Sequence, residues 1–90
     1  MAIRTFADPD TARLFARQFV ARFQAFEHTA RKRLRELHAA AELRDLARFG
    51  VEKLTGDRAG CHSIRINKQW RVCFRWRNGD AYAVEIVDYH

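Results

Sequence analysis

Asp88, Tyr89 and His90 stand together at the close of a run, 79–90, in which apolar and polar side chains alternate. Tyr82, Val84 and Ile86 fall on one side of that run, and Ala83, Glu85 and Val87 on the other. This is the period-two pattern of a half-buried strand. A carboxylate, a phenol and an imidazole at one strand end can hold and move protons. Negative charge beside an imidazole favours its protonated form, so the α-carboxylate of His90 is expected to raise that ring above about 6.5. The competing reading has Asp88 capping a sheet, Tyr89 packing and His90 idle.

What such groups would act on is suggested by charge. Seventeen basic against eleven acidic side chains leave a formal +6, and fourteen of the seventeen are arginine. The planar guanidinium fork matches phosphate oxygens, so a nucleic acid or another polyanion leads the partner classes, with a merely solvated basic surface as the alternative. Cleaving RNA without a metal needs a proton taken from the 2′-oxygen, one given to the 5′-oxygen, and the charge of a pentavalent phosphate held. A histidine, a carboxylate or tyrosine, and fixed arginines supply those roles. No carboxylate cluster suggests magnesium, which argues against a two-metal nuclease. Cys61 and Cys73 lie twelve apart with no second pair, so they build no zinc framework and read as free thiols of a reducing cytosol. No metal and no cofactor are expected.

The elements that must position these groups follow from pattern. Ninety residues make one domain, 1–90, with one modest core. No apolar run reaches membrane-spanning length and no targeting segment opens the chain, so a soluble cytoplasmic protein is expected. The short alternation at 3–6 reads as an opening strand. Asp8-Pro9 reads as an N-cap with proline at the first helical position. From Asp10 to Phe49 there is neither glycine nor proline, and Phe15, Phe19, Phe23, Phe26, Ala30, Leu34, Leu37 and Ala41 recur three or four apart. A helical hairpin bending near 21–27 fits better than one forty-residue helix. Arg31, Lys32, Arg35 and His38 form a basic stripe whose default reading is a solvated surface. A third helical piece is expected over 42–47. After Gly50 come strands at 51–54, 62–67, 70–77 and the final run, with Asn78-Gly79 as a hairpin signal.

Register follows from which side chains must share the buried face: Ile64, Ile66, Trp70, Val72, Phe74, Trp76, Tyr82, Val84 and Ile86. A two-residue Asn78-Gly79 turn would set Arg75 opposite Tyr82 and Val72 opposite Glu85, mixing the faces. A three-residue loop, 77–79, restores parity and pairs Trp70 with Ile86 and Phe74 with Tyr82. Ile66 pairs with Trp70 in the preceding hairpin. The other face then carries Arg65, Arg71 and Glu85 in one row. Two opposed arginines repel and Glu85 can neutralise one of them, leaving a guanidinium beside Tyr89 for a phosphate. An exposed salt-bridge row is the alternative. Arg58, Lys53 and Arg75 are further candidates for phosphate contact, and Tyr89 is the aromatic left to stack on a base.

Taken together, Leu54-Thr55-Gly56-Asp57-Arg58-Ala59-Gly60, Ser63-Ile64-Arg65-Ile66-Asn67, Gln69-Trp70-Arg71-Val72-Cys73-Phe74 and the closing Val84-Glu85-Ile86-Val87-Asp88-Tyr89-His90 resemble HigB-type toxins of the RelE/ParE superfamily. The resemblance is close over 51–90 and loose before it. It implies an α+β fold: an N-terminal strand, a helical hairpin, then an antiparallel meander. It also implies a ribosome-dependent mRNA endonuclease that blocks translation by metal-independent 2′-oxygen attack. A HigA-type helix-turn-helix antitoxin would silence it, with operator DNA bound only through that complex and no membrane involved. By position Asp88, Tyr89 and His90 match the family's catalytic trio, and Arg71 its transition-state arginine. Glu52 falls where members carry a histidine or a glutamate. Thr55 stands where lysine is common, removing a phosphate contact. The proline-glycine stretch often found before the second strand is replaced by Ala47-Arg48-Phe49-Gly50. Two rivals remain: a ParE-like gyrase poison of the same fold, and a non-catalytic basic module that binds nucleic acid.

Overall fold

Asp8 begins the first helix as its side chain suggests. In the computed structural model, which describes residues 2–56 and 60–88, its backbone is extended and its carboxylate accepts from the Thr11 N–H at 2.7 Å. Helix α1, Pro9–Phe15, follows with proline in its first turn. It is short. The Gln18 N–H reaches back to the Arg13 carbonyl and the Arg17 N–H to that of Leu14, while Arg17 takes φ 67°. This is a Schellman ending with arginine where glycine usually sits. From the next helix Arg31 donates to the carbonyls of Leu14 and Gln18 and pairs with Glu27. The expected break at 21–27 therefore comes earlier, at residue 16. Residues Ala21–Phe26 form a 3-10 turn that runs into α2, Glu27–Ala39.

Two members of the supposed basic stripe are structural. Arg31 caps α1, and His38 accepts from the Ile3 N–H at 3.3 Å and meets Phe15 edge-on. Lys32 and Arg35 are exposed. The third helical piece is a 3-10 turn, Leu43–Phe49, opened by a Glu42/Asp45 capping box and closed by Gly50 in the left-handed region.

Four antiparallel strands follow in the order β1 (Glu52–Lys53), β2 (Cys61–Arg65), β3 (Trp70–Arg77) and β4 (Asp80–Asp88). The opening segment lies parallel to β4, bridged at Ile3–Ala81 and Phe6–Val84. The β2–β3 register is the expected one: Ile64 faces Val72, and the Ile66 N–H donates to the Trp70 carbonyl.

The β3–β4 register differs from expectation. Asn78 and Gly79, both at positive φ, make a two-residue turn that pairs Arg77 with Asp80 and Arg75 with Tyr82. Parity is rescued by a bulge at Ala83, φ 52°, beyond which Val72 faces Ile86 and Trp70 faces Asp88. Tyr82 therefore leaves the core face and lies under the Arg77 guanidinium, with Ala81 buried in its place. The core forms where Ile64, Val72, Phe74, Val84 and Ile86 meet Leu14, Phe23, Ala30, Leu34 and Leu37. Trp70 covers its edge, stacked on Phe26 at 4.8 Å.

Candidate active site

Arg71 is the centre of the open face. Its position in β3 puts it on the side away from the helices, yet it is 7% exposed. Its Nε–H donates to Ser63 Oγ at 2.7 Å, and one terminal nitrogen donates to the Gly50 carbonyl at 2.6 Å. Each partner follows from the fold. Ser63 is the β2 residue opposite Cys73, one diagonal from Arg71, and Gly50 carries the chain out of its 3-10 turn in a conformation that favours glycine. A guanidinium held at two nitrogens has lost most of its rotamer freedom before any ligand arrives, which suits it to recognising a phosphate.

Arg65 stands directly opposite Arg71, as the alternation of β2 and β3 implies. Glu85 does not complete that row. It faces Cys73, while Arg71 faces Val87, because the bulge moves the β4 register. The carboxylate next to Arg71 is that of Glu52, 3.4 Å from it. Glu52 pairs with Ser63, so β1 delivers the acid that β4 was expected to supply. With Glu52 more than half exposed, this pair adds little to stability, on the order of 1 kcal/mol or less.

The remaining candidates divide. Lys53 faces His62 and so has the opposite parity from Arg71. Arg75 shares Arg71's face, nearer the hairpin turn. It lines a cleft of about 430 Å³ with Cys61, Cys73, Ala83 and Glu85. Gly60 stands beside the Arg75 guanidinium at φ 90°, a backbone conformation that a side chain would strain. Asp88 is exposed at the end of β4, opposite Trp70, and accepts from Gln69 Nε2 at 2.9 Å. Arg58, Tyr89 and His90 lie outside the described residues. Cys61 and Cys73 form no disulfide.

Ser63 and Gln69, which grip Arg71 and Asp88, were not singled out as site residues. The alternation Ser63, Arg65 on one face of β2 carried the signal for the first. The His62 ring, stacked on Phe74, is pushed below the usual histidine range by burial and, secondarily, by the charge of Lys53. It reads as a packed, neutral ring.

Residues 4–90 match the model of the RelE-like HigB toxins of type II toxin–antitoxin systems. Over 60 residues the chain is 40% identical to endoribonuclease HigB of Proteus vulgaris, a match covering 64% of this chain and 65% of that protein. Among solved structures it resembles YoeB of Staphylococcus aureus in the YoeB–YefM complex, with a TM-score of 0.62 and 18% identity over 100% of this chain and 99% of that one. The YoeB dimer from the same organism gives 0.57 and 22%, over 100% and 97%. At those identities the structural likeness concerns the fold alone.

Proposed function

The chain belongs to the HigB-type family of RelE-like toxins of type II toxin–antitoxin systems, and from that premise we propose that it is a cytoplasmic, single-domain endoribonuclease that cuts mRNA on the ribosome. The observation that carries the reading is the Arg71 guanidinium, immobilised by Ser63 and Gly50 on the open side of the sheet with Arg65 across from it. In this mechanism Arg71 and Arg65 hold the scissile phosphate. The 2′-oxygen attacks phosphorus, the 5′-oxygen leaves, and a 2′,3′-cyclic phosphate and a 5′-hydroxyl result. Asp88 and His90 exchange the two protons, in titrations coupled to each other. Tyr89 positions a base or donates a hydrogen bond. Glu52 keeps Arg71 aligned until substrate enters. Arg58 and Arg75 contribute phosphate contacts along the RNA strand, whereas Lys53, on the opposite parity, is left out of that role. The ribosome supplies the orientation that so small a protein cannot impose alone. A HigA-type antitoxin restrains the activity, and operator DNA is reached only through that complex.

The test is cleavage of a defined mRNA on purified ribosomes by the wild type and by His90→Gln. The expected result is cyclic-phosphate ends with the wild type, and loss of cutting with retained ribosome binding in the variant. Growth arrest that persists unchanged in His90→Gln, with intact mRNA, would overturn the reading in favour of a protein target.

A further inference from the structure

Beside the Arg71 face lies a second basic cleft, of which the mechanism uses only Arg65 and Gly50. It holds about 380 Å³ and is lined by Arg33, Arg48, Phe49, Gly50, Arg65 and Ile66. Three of these are arginines and none is acidic. Arg33 comes from α2. Its Nε–H donates to the Arg65 carbonyl at 3.0 Å, and its guanidinium lies 4.5 Å from the centre of the Phe49 ring. Arg48 lies 4.9 Å from the same ring. One carboxylate outside the cleft spans both, since Glu36 Oε1 is 3.1 Å from Arg33 and Oε2 is 3.4 Å from Arg48. The two guanidiniums are thus already brought together around an anion.

Two residues join this cleft to the candidate active site. Gly50 forms its wall and accepts from Arg71 through its carbonyl. Arg65 lines it and stands opposite Arg71. We infer that the cleft is a second phosphate subsite, taking a neighbouring phosphodiester of the same RNA strand whose scissile phosphate meets Arg71, with Glu36 steadying Arg33 and Arg48 from outside the cleft. The inference rests on the nuclease reading for its choice of ligand. A phosphate there competes with Glu36 for the two guanidiniums, so Glu36 weakens RNA binding while keeping Arg33 and Arg48 aimed.

The experiment titrates a non-cleavable 2′-O-methylated RNA hexanucleotide and the corresponding dinucleotide into the full chain, following arginine Nε–H resonances so that weak binding is still read. Arg48 is largely exposed, so Arg48→Gln tests the cleft without disturbing the core. Its hexanucleotide dissociation constant should rise about threefold to tenfold, and its salt slope should flatten by about 0.7, the value for one phosphate contact on a single strand. Glu36→Gln should bind the hexanucleotide more tightly than wild type. The dinucleotide, too short to reach, should ignore both changes. Hexanucleotide affinity and slope unchanged in both variants would overturn the subsite, as would equal responses from the dinucleotide. If the protein cuts no RNA on the ribosome yet shows these shifts, the nuclease reading falls and the cleft stands. If it cuts RNA and the variants behave as wild type, the cleft alone falls.

Discussion

The Nε–H of Arg71 points at Ser63 Oγ, 2.7 Å away across the β2–β3 ladder, and both side chains are buried. A hydroxyl thereby sets the direction of the central arginine of the proposed chemistry. Ser63→Ala removes the acceptor and leaves a buried charged donor short of a partner. It should cost about 1.5–3 kcal/mol, read as a lower urea midpoint at unchanged slope. Cleavage per folded molecule should fall as well. Ser63→Thr, which keeps the oxygen, should recover most of both.

Arg31 stabilises the chain where α1 stops, through the carbonyls of Leu14 and Gln18. Arg31→Gln is expected to lower stability by about 1 kcal/mol in denaturant unfolding, since the Leu14 carbonyl keeps the Arg17 N–H but loses Arg31, and the Gln18 carbonyl just past the helix loses the same donor. A loss no greater than that of Lys32→Gln on the exposed face of α2 would show that Arg31 is only a surface charge.

Phe19 and Phe23 look alike in the spacing of the chain but not in the fold. Phe19 is 62% exposed and Phe23 is 0% exposed, edge-on to Trp70 at 6.0 Å. Phe23→Ala should destabilise by about 3–5 kcal/mol, much of what a domain of this size possesses. Phe19→Ser should stay within about 0.5 kcal/mol of wild type. Thermal unfolding of the two variants side by side decides the matter.

Ala83 holds a left-handed backbone in mid-strand, where a Cβ is unfavourable. Ala83→Gly should relieve that cost and raise stability by up to about 1 kcal/mol, whereas Ala83→Val should lower it by more. Equal stability of all three proteins would mean that the bulge is not strained.

His62 gives a pH dependence with a definite sign. Burial, helped by Lys53, holds its folded value below the ordinary 6.5, so between the two values the unfolded chain binds the proton and the folded chain does not. Stability is full above about 6.5 and declines as pH falls towards the folded value. His62→Phe, which keeps the ring stacked on Phe74, should flatten the fall in melting temperature between about pH 7 and pH 5 relative to wild type. An unaltered pH profile would assign that fall to other groups.

Much of this architecture can be read from residues whose local preferences agree with the fold. Asp8-Pro9 announces a helix start that the structure keeps, and the alternation of β2 and β3 puts Arg65 opposite Arg71 without coordinates. The break after α1 is silent because Arg17 takes the conformation that glycine would have advertised. The bulge is silent for the same reason, an alanine at positive φ, and so alternation alone puts Tyr82 and Glu85 in the wrong rows. Glu52 was recognised by resemblance alone. Its place beside Arg71 depends on β1 pairing with β2, a long-range fact that no local pattern contains.

The opening segment is stitched to β4, with the Ala83 N–H donating to Thr5 Oγ1 over a separation of 78 positions. Backbone groups of the opening segment thus find partners in β4, far along the chain. Closing so wide a loop is slow compared with forming the sheet's own hairpins, which join strands adjacent in sequence. Docking of that segment is therefore expected to come after the β2–β3 and β3–β4 hairpins, whose partners lie close along the chain.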